Sequence, residues 1–74
     1  ADSQGQEVKA ALPGVVIRIE VSENDEVQEG DVLLVVEAMK METEIKSPVS
    51  GKVLSIDVAQ GEQVKNGQTL VTIG

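Results

Sequence analysis

Laid over itself with an offset of 37 residues, the chain repeats without a gap. Gly14 falls on Gly51, Val16 on Val53, Ile19 on Ile56 and Val21 on Val58, and further along Val27 falls on Val64, Gly30 on Gly67 and Leu33 on Leu70. Conservative pairs fill the intervals: Glu20 with Asp57, Asp25 with Glu62, Leu34 with Val71, and Val36 with Ile73. Shared composition would scatter matches; it would not hold two glycines in register with so many apolar positions. A repeat this short cannot bury an apolar face by itself, so the two copies must cover each other within one domain.

Each copy reads as strands and turns. Val16, Ile19 and Val21 lie in a stretch rich in Val and Ile that ends at a polar turn, Ser22 to Asp25. The second copy has Ala59-Gln60-Gly61-Glu62 there, and Gly61 suggests a left-handed backbone position. A short strand around Val27 leads to a turn at Gln28-Glu29-Gly30-Asp31, matched by Lys65-Asn66-Gly67-Gln68, where Asn-Gly is a strong turn signal. Apolar strands follow, Val32 to Val36 and Thr69 to Ile73. No segment of helical length shows a 3.6-residue apolar period, and two prolines and seven glycines interrupt the chain. The expected fold is all-β. Four strands per copy give a flattened eight-stranded barrel or sandwich of two four-stranded sheets with an internal pseudo-two-fold axis.

Composition removes most chemistries. With no cysteine and no histidine, the chain lacks disulfides, thiolate metal sites and the usual general base. The serines at 22, 47, 50 and 55 therefore have no imidazole partner, and we expect no catalytic residue, no metal ligand and no free-standing enzyme. With no Phe, Trp or Tyr, the core must be built from Val, Ile, Leu and Ala, a mix that suits pleated sheets. A net charge of -7 without stacking platforms argues against nucleic-acid binding. The longest apolar run, Val32 to Val36, is too short for direct membrane insertion. The polar opening, residues 1–6, reads as the end of a flexible linker before a domain over residues 7–74. Beginning Ala1-Asp2-Ser3 with no methionine and no signal peptide, the chain is expected to be a piece of a longer cytoplasmic protein, monomeric when isolated.

The symmetry breaks once. The repeat accounts for 8–37 and 45–74, leaving Ala38-Met39-Lys40-Met41-Glu42-Thr43-Glu44 as the joint. A strand rising over Val32 to Ala38 and one descending over Met41 to Lys46 leave Met39 and Lys40 as a tight turn, with Lys40 projecting. The joint is expected near the pseudo-two-fold axis and far from both chain ends. Both methionines of the chain flank this lysine, which fits flexible apolar contacts offered to a partner better than gap filling in a core.

Glu37-Ala38-Met39-Lys40-Met41 resembles the biotin-attachment motif of biotin carboxyl carrier domains, whose core is Ala-Met-Lys-Met. Ala11-Leu12-Pro13-Gly14 and Ser47-Pro48-Val49-Ser50-Gly51 are similar to that family's flanking turns, and the likeness runs from about Val8 to Gly74. The resemblance implies a barrel-sandwich hybrid with biotin amide-linked to Lys40, and Glu37, Ala38, Met39 and Met41 read by partners. It implies a biotin protein ligase as one partner. Others would be the biotin carboxylase, carboxyltransferase or decarboxylase subunits of a parent enzyme, between which the carboxyl group is carried. Some acetyl-CoA carboxylase carriers have a protruding insertion in the first half; the gapless repeat leaves no room for it. The parent is therefore expected among decarboxylases, transcarboxylases or pyruvate carboxylases, and the carrier would join a membrane-bound decarboxylase complex only through partners. Two related alternatives share the fold: a lipoyl domain, which would show Asp-Lys-Ala at the turn, and an unmodified adaptor, which needs no lysine motif.

Overall fold

The computed structural model describes residues 5–74. Eight strands follow in order: β1 (Gln6–Lys9), β2 (Gly14–Ile19), β3 (Glu26–Val27), β4 (Val32–Ala38), β5 (Met41–Lys46), β6 (Gly51–Ile56), β7 (Gln63–Val64) and β8 (Thr69–Ile73). They form two antiparallel four-stranded sheets, β5-β4-β2-β7 and β1-β8-β6-β3. Among the described residues no helix is long and apolar enough to cross a membrane.

The 37-residue offset maps one sheet onto the other. Val36 pairs with Thr43 in β4–β5, and Ile73 pairs with Gln6 in β8–β1. Val16 pairs with Val36, as Val53 does with Ile73. Gly14 pairs with Val64, as Gly51 does with Val27. The structure thus carries the repeat further back than 8 and 45: β1 corresponds to β5, and Glu7 to Glu44. Gln6 belongs to β1, and residues 1–4 of the expected linker lie outside the described residues.

The halves are not two sheets placed face to face. Each gives its two-residue strand to the other half's sheet, β3 beside β6 and β7 beside β2. Backbone hydrogen bonds secure the exchange in matched sets. Asn24 N–H donates to the Val53 carbonyl and Val53 N–H to that of Asp25, both at 2.8 Å; Gly61 N–H donates to Val16 at 2.7 Å and Val16 N–H to Glu62 at 2.9 Å. Side chains cap the same turns, Asp25 accepting from Ser22 N–H at 2.9 Å and Glu62 from Ala59 N–H at 3.0 Å. The exchange seats Val27 and Val64, both buried, in the core.

Matched register shifts explain why the apolar runs do not alternate. The β4–β5 pairing skips from Val32 to Leu34, and β1–β8 passes from Val71 to Thr69. The skipped Leu33 and Leu70 turn inward beside Leu34 and Val71, and all four are fully buried. Such bulges place two successive side chains on one face. Each Leu or Val buried this way contributes roughly 1.5–3 kcal/mol, which an aromatic-free core of this size needs.

The turns at 24 and 61 solve one backbone problem with different residues. Asn24 has φ of 75° and Gly61 of 88°. A side chain at Gly61 would meet nothing within 4 Å, so only backbone strain opposes substitution. Gly61→Asn should melt close to the parent, because Asn tolerates the left-handed region. Gly61→Val should lose about 1–2 kcal/mol, seen as a fall of roughly 4–16 °C in Tm for a domain this small. Equal melting of the two variants would contradict the assignment.

Candidate functional site

The β4–β5 hairpin closes at the pair Ala38 and Met41, leaving Met39 and Lys40 as a two-residue turn. Their φ values are 54° and 66°. Positive φ at both central positions defines the type I′ turn, whose twist suits a hairpin and whose usual residues are Asn and Gly. Met-Lys occupies it at a cost of about 1–2 kcal/mol per residue. Strain of this kind persists where the surrounding structure enforces it, and it concentrates at functional positions.

The base of the hairpin is closely packed. A Cβ at Gly14 would strike the Glu37 carbonyl oxygen and stand 2.7 Å from Val36 Cγ1 and 3.2 Å from Ala38 Cβ. Only glycine lets the start of β2 lie this close beside the end of β4. Gly51 plays the same part below β8, where its Cβ would come 2.6 Å from the Gly74 carbonyl oxygen. Because the repeat carries Ala38 and Met41 onto the gap between the end of β8 and the start of β1, the turn lies off the pseudo-two-fold axis, exchanged with the chain ends. The expectation of an on-axis joint is corrected, since a point on the axis would map onto itself.

The two faces of the hairpin differ. Glu37 and Glu42 stand directly opposite each other on the outer face, an unfavourable like-charge pair. One row further down, Arg18 and Glu44 flank the buried Val35. The Arg18 guanidinium is held more firmly protonated by its hydrogen bond to Glu20, at 2.5 Å, with smaller attractions from Glu42 and Glu44. On the other face Ala38 is buried and Met41 is 69% exposed. Met39 at the tip is 80% exposed, and Lys40 is exposed beside it. The ion pairs among the described residues are Lys9–Glu7 and Arg18–Glu20, so no described carboxylate pairs with Lys40.

The five residues singled out by the motif therefore gather at one tip. Glu37, Met39, Lys40 and Met41 are open to a partner, whereas Ala38 reaches one only as the floor of a shallow cleft. That cleft is lined by Ala10, Ala11, Leu12, Val36, Ala38, Thr43 and Ile45. Leu12, 48% exposed, borders the tip from the β1–β2 loop and is not among the residues the motif singles out. An unpaired primary amine on a strained, projecting turn can carry an acyl group through an amide without disturbing the core.

The sequence model of the family described as biotin-requiring enzymes matches residues 5–73. The chain belongs to that family, and within it the domain is a biotin carboxyl carrier domain rather than a catalytic unit. It is 54% identical over 37 residues to a pyruvate carboxylase subunit of Methanothermobacter thermautotrophicus, covering 50% of this chain and 6% of the relative. It is 49% identical over 37 residues to the gamma subunit of glutaconyl-CoA decarboxylase from Acidaminococcus fermentans, covering 50% and 26%. The Kluyveromyces lactis urea carboxylase structure superposes with a TM-score of 0.91 at 27% identity, over 100% of this chain and 6% of that one. A single-chain, multi-domain long-chain acyl-CoA carboxylase does so with 0.88 at 26%, over 97% and 7%. The chain thus spans a small part of each of these proteins.

If turn strain is what the tip carries, the double variant Met39→Asn, Lys40→Gly should raise stability by about 1 kcal/mol. The urea midpoint should rise with the m-value unchanged. No gain would show that the tip backbone is relaxed with Met and Lys in place.

Proposed function

We propose that Lys40 is the attachment point of biotin, and that the loaded domain carries a carboxyl group between two sites of a larger biotin-dependent enzyme. The observation that supports this best is the exposed Lys40, paired with no described carboxylate, on a two-residue turn with positive φ at both positions. A lysine ammonium is a poor unaided nucleophile. A biotin protein ligase must therefore take the proton and deliver biotin as an activated acyl group. Lys40 Nζ attacks the acyl carbonyl, the amide C–N bond forms, and the activating group leaves with its electron pair. Bound biotin supplies the ureido nitrogen on which the carboxyl group travels. Glu37, Met39 and Met41 then meet the partner proteins, while Ala38 and Gly14 hold the turn at its height.

Tethering keeps the carrier at an effective concentration of about millimolar near both partner sites, without release to solvent. The partners in this reading are the ligase, a carboxylating or decarboxylating subunit and a carboxyltransferase. The likeness to a pyruvate carboxylase subunit and to a decarboxylase gamma subunit supports a parent of that group. Dependence on an ATP-driven ligase suits loading in the cytoplasm. A lipoyl carrier would need a different tip: Met39 and Met41 stand where Asp and Ala are expected.

Incubation with a biotin ligase, biotin and ATP should add one biotinyl increment to the intact mass, and none to Lys40→Arg. That variant should melt within about 2 °C of the parent, because a projecting side chain buries little. Labelling by a lipoate ligase instead, or by neither enzyme, would overturn the assignment.

A further inference from the structure

The internal repeat provides its own control: where the two copies diverge without a structural need, another demand has acted. The β1–β2 loop and the β5–β6 loop are such a pair. In the second, Ser47 is 2% exposed, its hydroxyl donating to the Val49 carbonyl oxygen at 2.5 Å and accepting from Val49 N–H at 3.4 Å. Val49 packs against the core. In the first, Ala10 replaces the serine and Leu12, at the position of Val49, is 48% exposed. The copy that leaves its leucine in solvent is the one beside the Lys40 hairpin.

Four large apolar side chains are exposed among the described residues: Leu12, Met39, Met41 and Leu54. Three belong to this end. Directly opposed residues share a face, so Met41 lies on the same side of the hairpin as Ala38, and Ala38 lines a cleft together with Leu12. The cleft holds about 50 Å³, room for the end of one aliphatic side chain. The fourth, Leu54, serves the chain ends, its Cδ1 standing 2.9 Å from where a Cβ on Gly5 would lie.

We propose that Leu12 and Met41 form an apolar clamp that receives one aliphatic side chain of the biotin protein ligase, with Leu12 as its principal element. This rests on the reading of Lys40 as the attachment point. The ligase is the occupant because it alone handles Lys40 Nζ itself, which brings its surface against the flanks of the turn. Enzymes that act at the far end of the biotinyl arm work a lysyl and an acyl chain away. A central apolar anchor is also the usual carrier of binding energy in a protein interface.

The test is the steady-state rate of biotinylation of the whole chain by a biotin ligase, comparing the parent with Leu12→Ser, Leu12→Met and Leu54→Ser. Leu12→Ser should lower kcat/KM about tenfold, the size of one interface anchor, chiefly through KM. Leu12→Met, which keeps an apolar contact, and Leu54→Ser, which loses an equally exposed leucine elsewhere, should stay within twofold. Leu12→Ser within twofold of the parent would overturn the clamp while leaving Lys40 as the site. So would an equal loss in Leu12→Met or Leu54→Ser. No labelling of the parent would overturn both.

Discussion

Val16 and Val53 each exchange a donated and an accepted backbone hydrogen bond with the turn of the opposite repeat, at Gly61–Glu62 and Asn24–Asp25. Those bonds pin the two-residue strands β3 and β7 to sheets that their own halves do not complete. Without them Val27 and Val64 would leave the core, and neither four-stranded sheet would close. A domain this small, with no aromatic residue and no disulfide, has few other ways to gain cooperativity. Interlocking makes the fold of each half conditional on the other.

The same exchange determines what can be displayed. Once the repeats are locked, the matched pairings leave two equivalent places at the ends of the long strands. One lies between the end of β8 and the start of β1, and the other is taken by the β4–β5 turn. The turn is therefore the one connection with no counterpart, and it can depart from the repeat without disturbing the core. It departs in three ways: left-handed Met39 and Lys40, the like-charge pair Glu37–Glu42, and a flank of exposed Met41 and Leu12. Each is locally unfavourable, and each is tolerated because Gly14 and the buried Ala38 hold the base of the hairpin. In the proposed function the domain contributes position and rigidity, and the chemistry belongs to its partners.

Much of this was legible in the sequence. The gapless 37-residue offset implied eight strands and two equivalent sheets, and the joint at 38–44 located the turn to the residue. The strand exchange was not legible, because apolar periodicity records which residues are buried and not whose sheet they join. The equivalence of β1 and β5 escaped for a related reason: Val8 with Ile45 and Glu7 with Glu44 are too few residues to stand out, though the pairings make it plain. Bulges at Leu33 and Leu70 lay hidden within a continuous apolar run. Leu12 does not stand out either, because a leucine before Pro-Gly reads as a turn anchor. Its signal is the mismatch with Val49, which acquires meaning only when one is packed and the other exposed.

With Lys40 as the proposed attachment point, we infer that the folded hairpin, and not the five-residue motif alone, singles it out among the five lysines of the chain. Val53 is fully buried in β6, remote in sequence from the motif. Replacing it with Asp should unfold the domain by burying an unpaired charge while leaving Glu37 to Met41 intact. Peptide mapping after ligase treatment should find biotin on Lys40 alone in the parent and on no lysine in Val53→Asp. Comparable labelling of Lys40 in the unfolded chain would contradict selection by the fold.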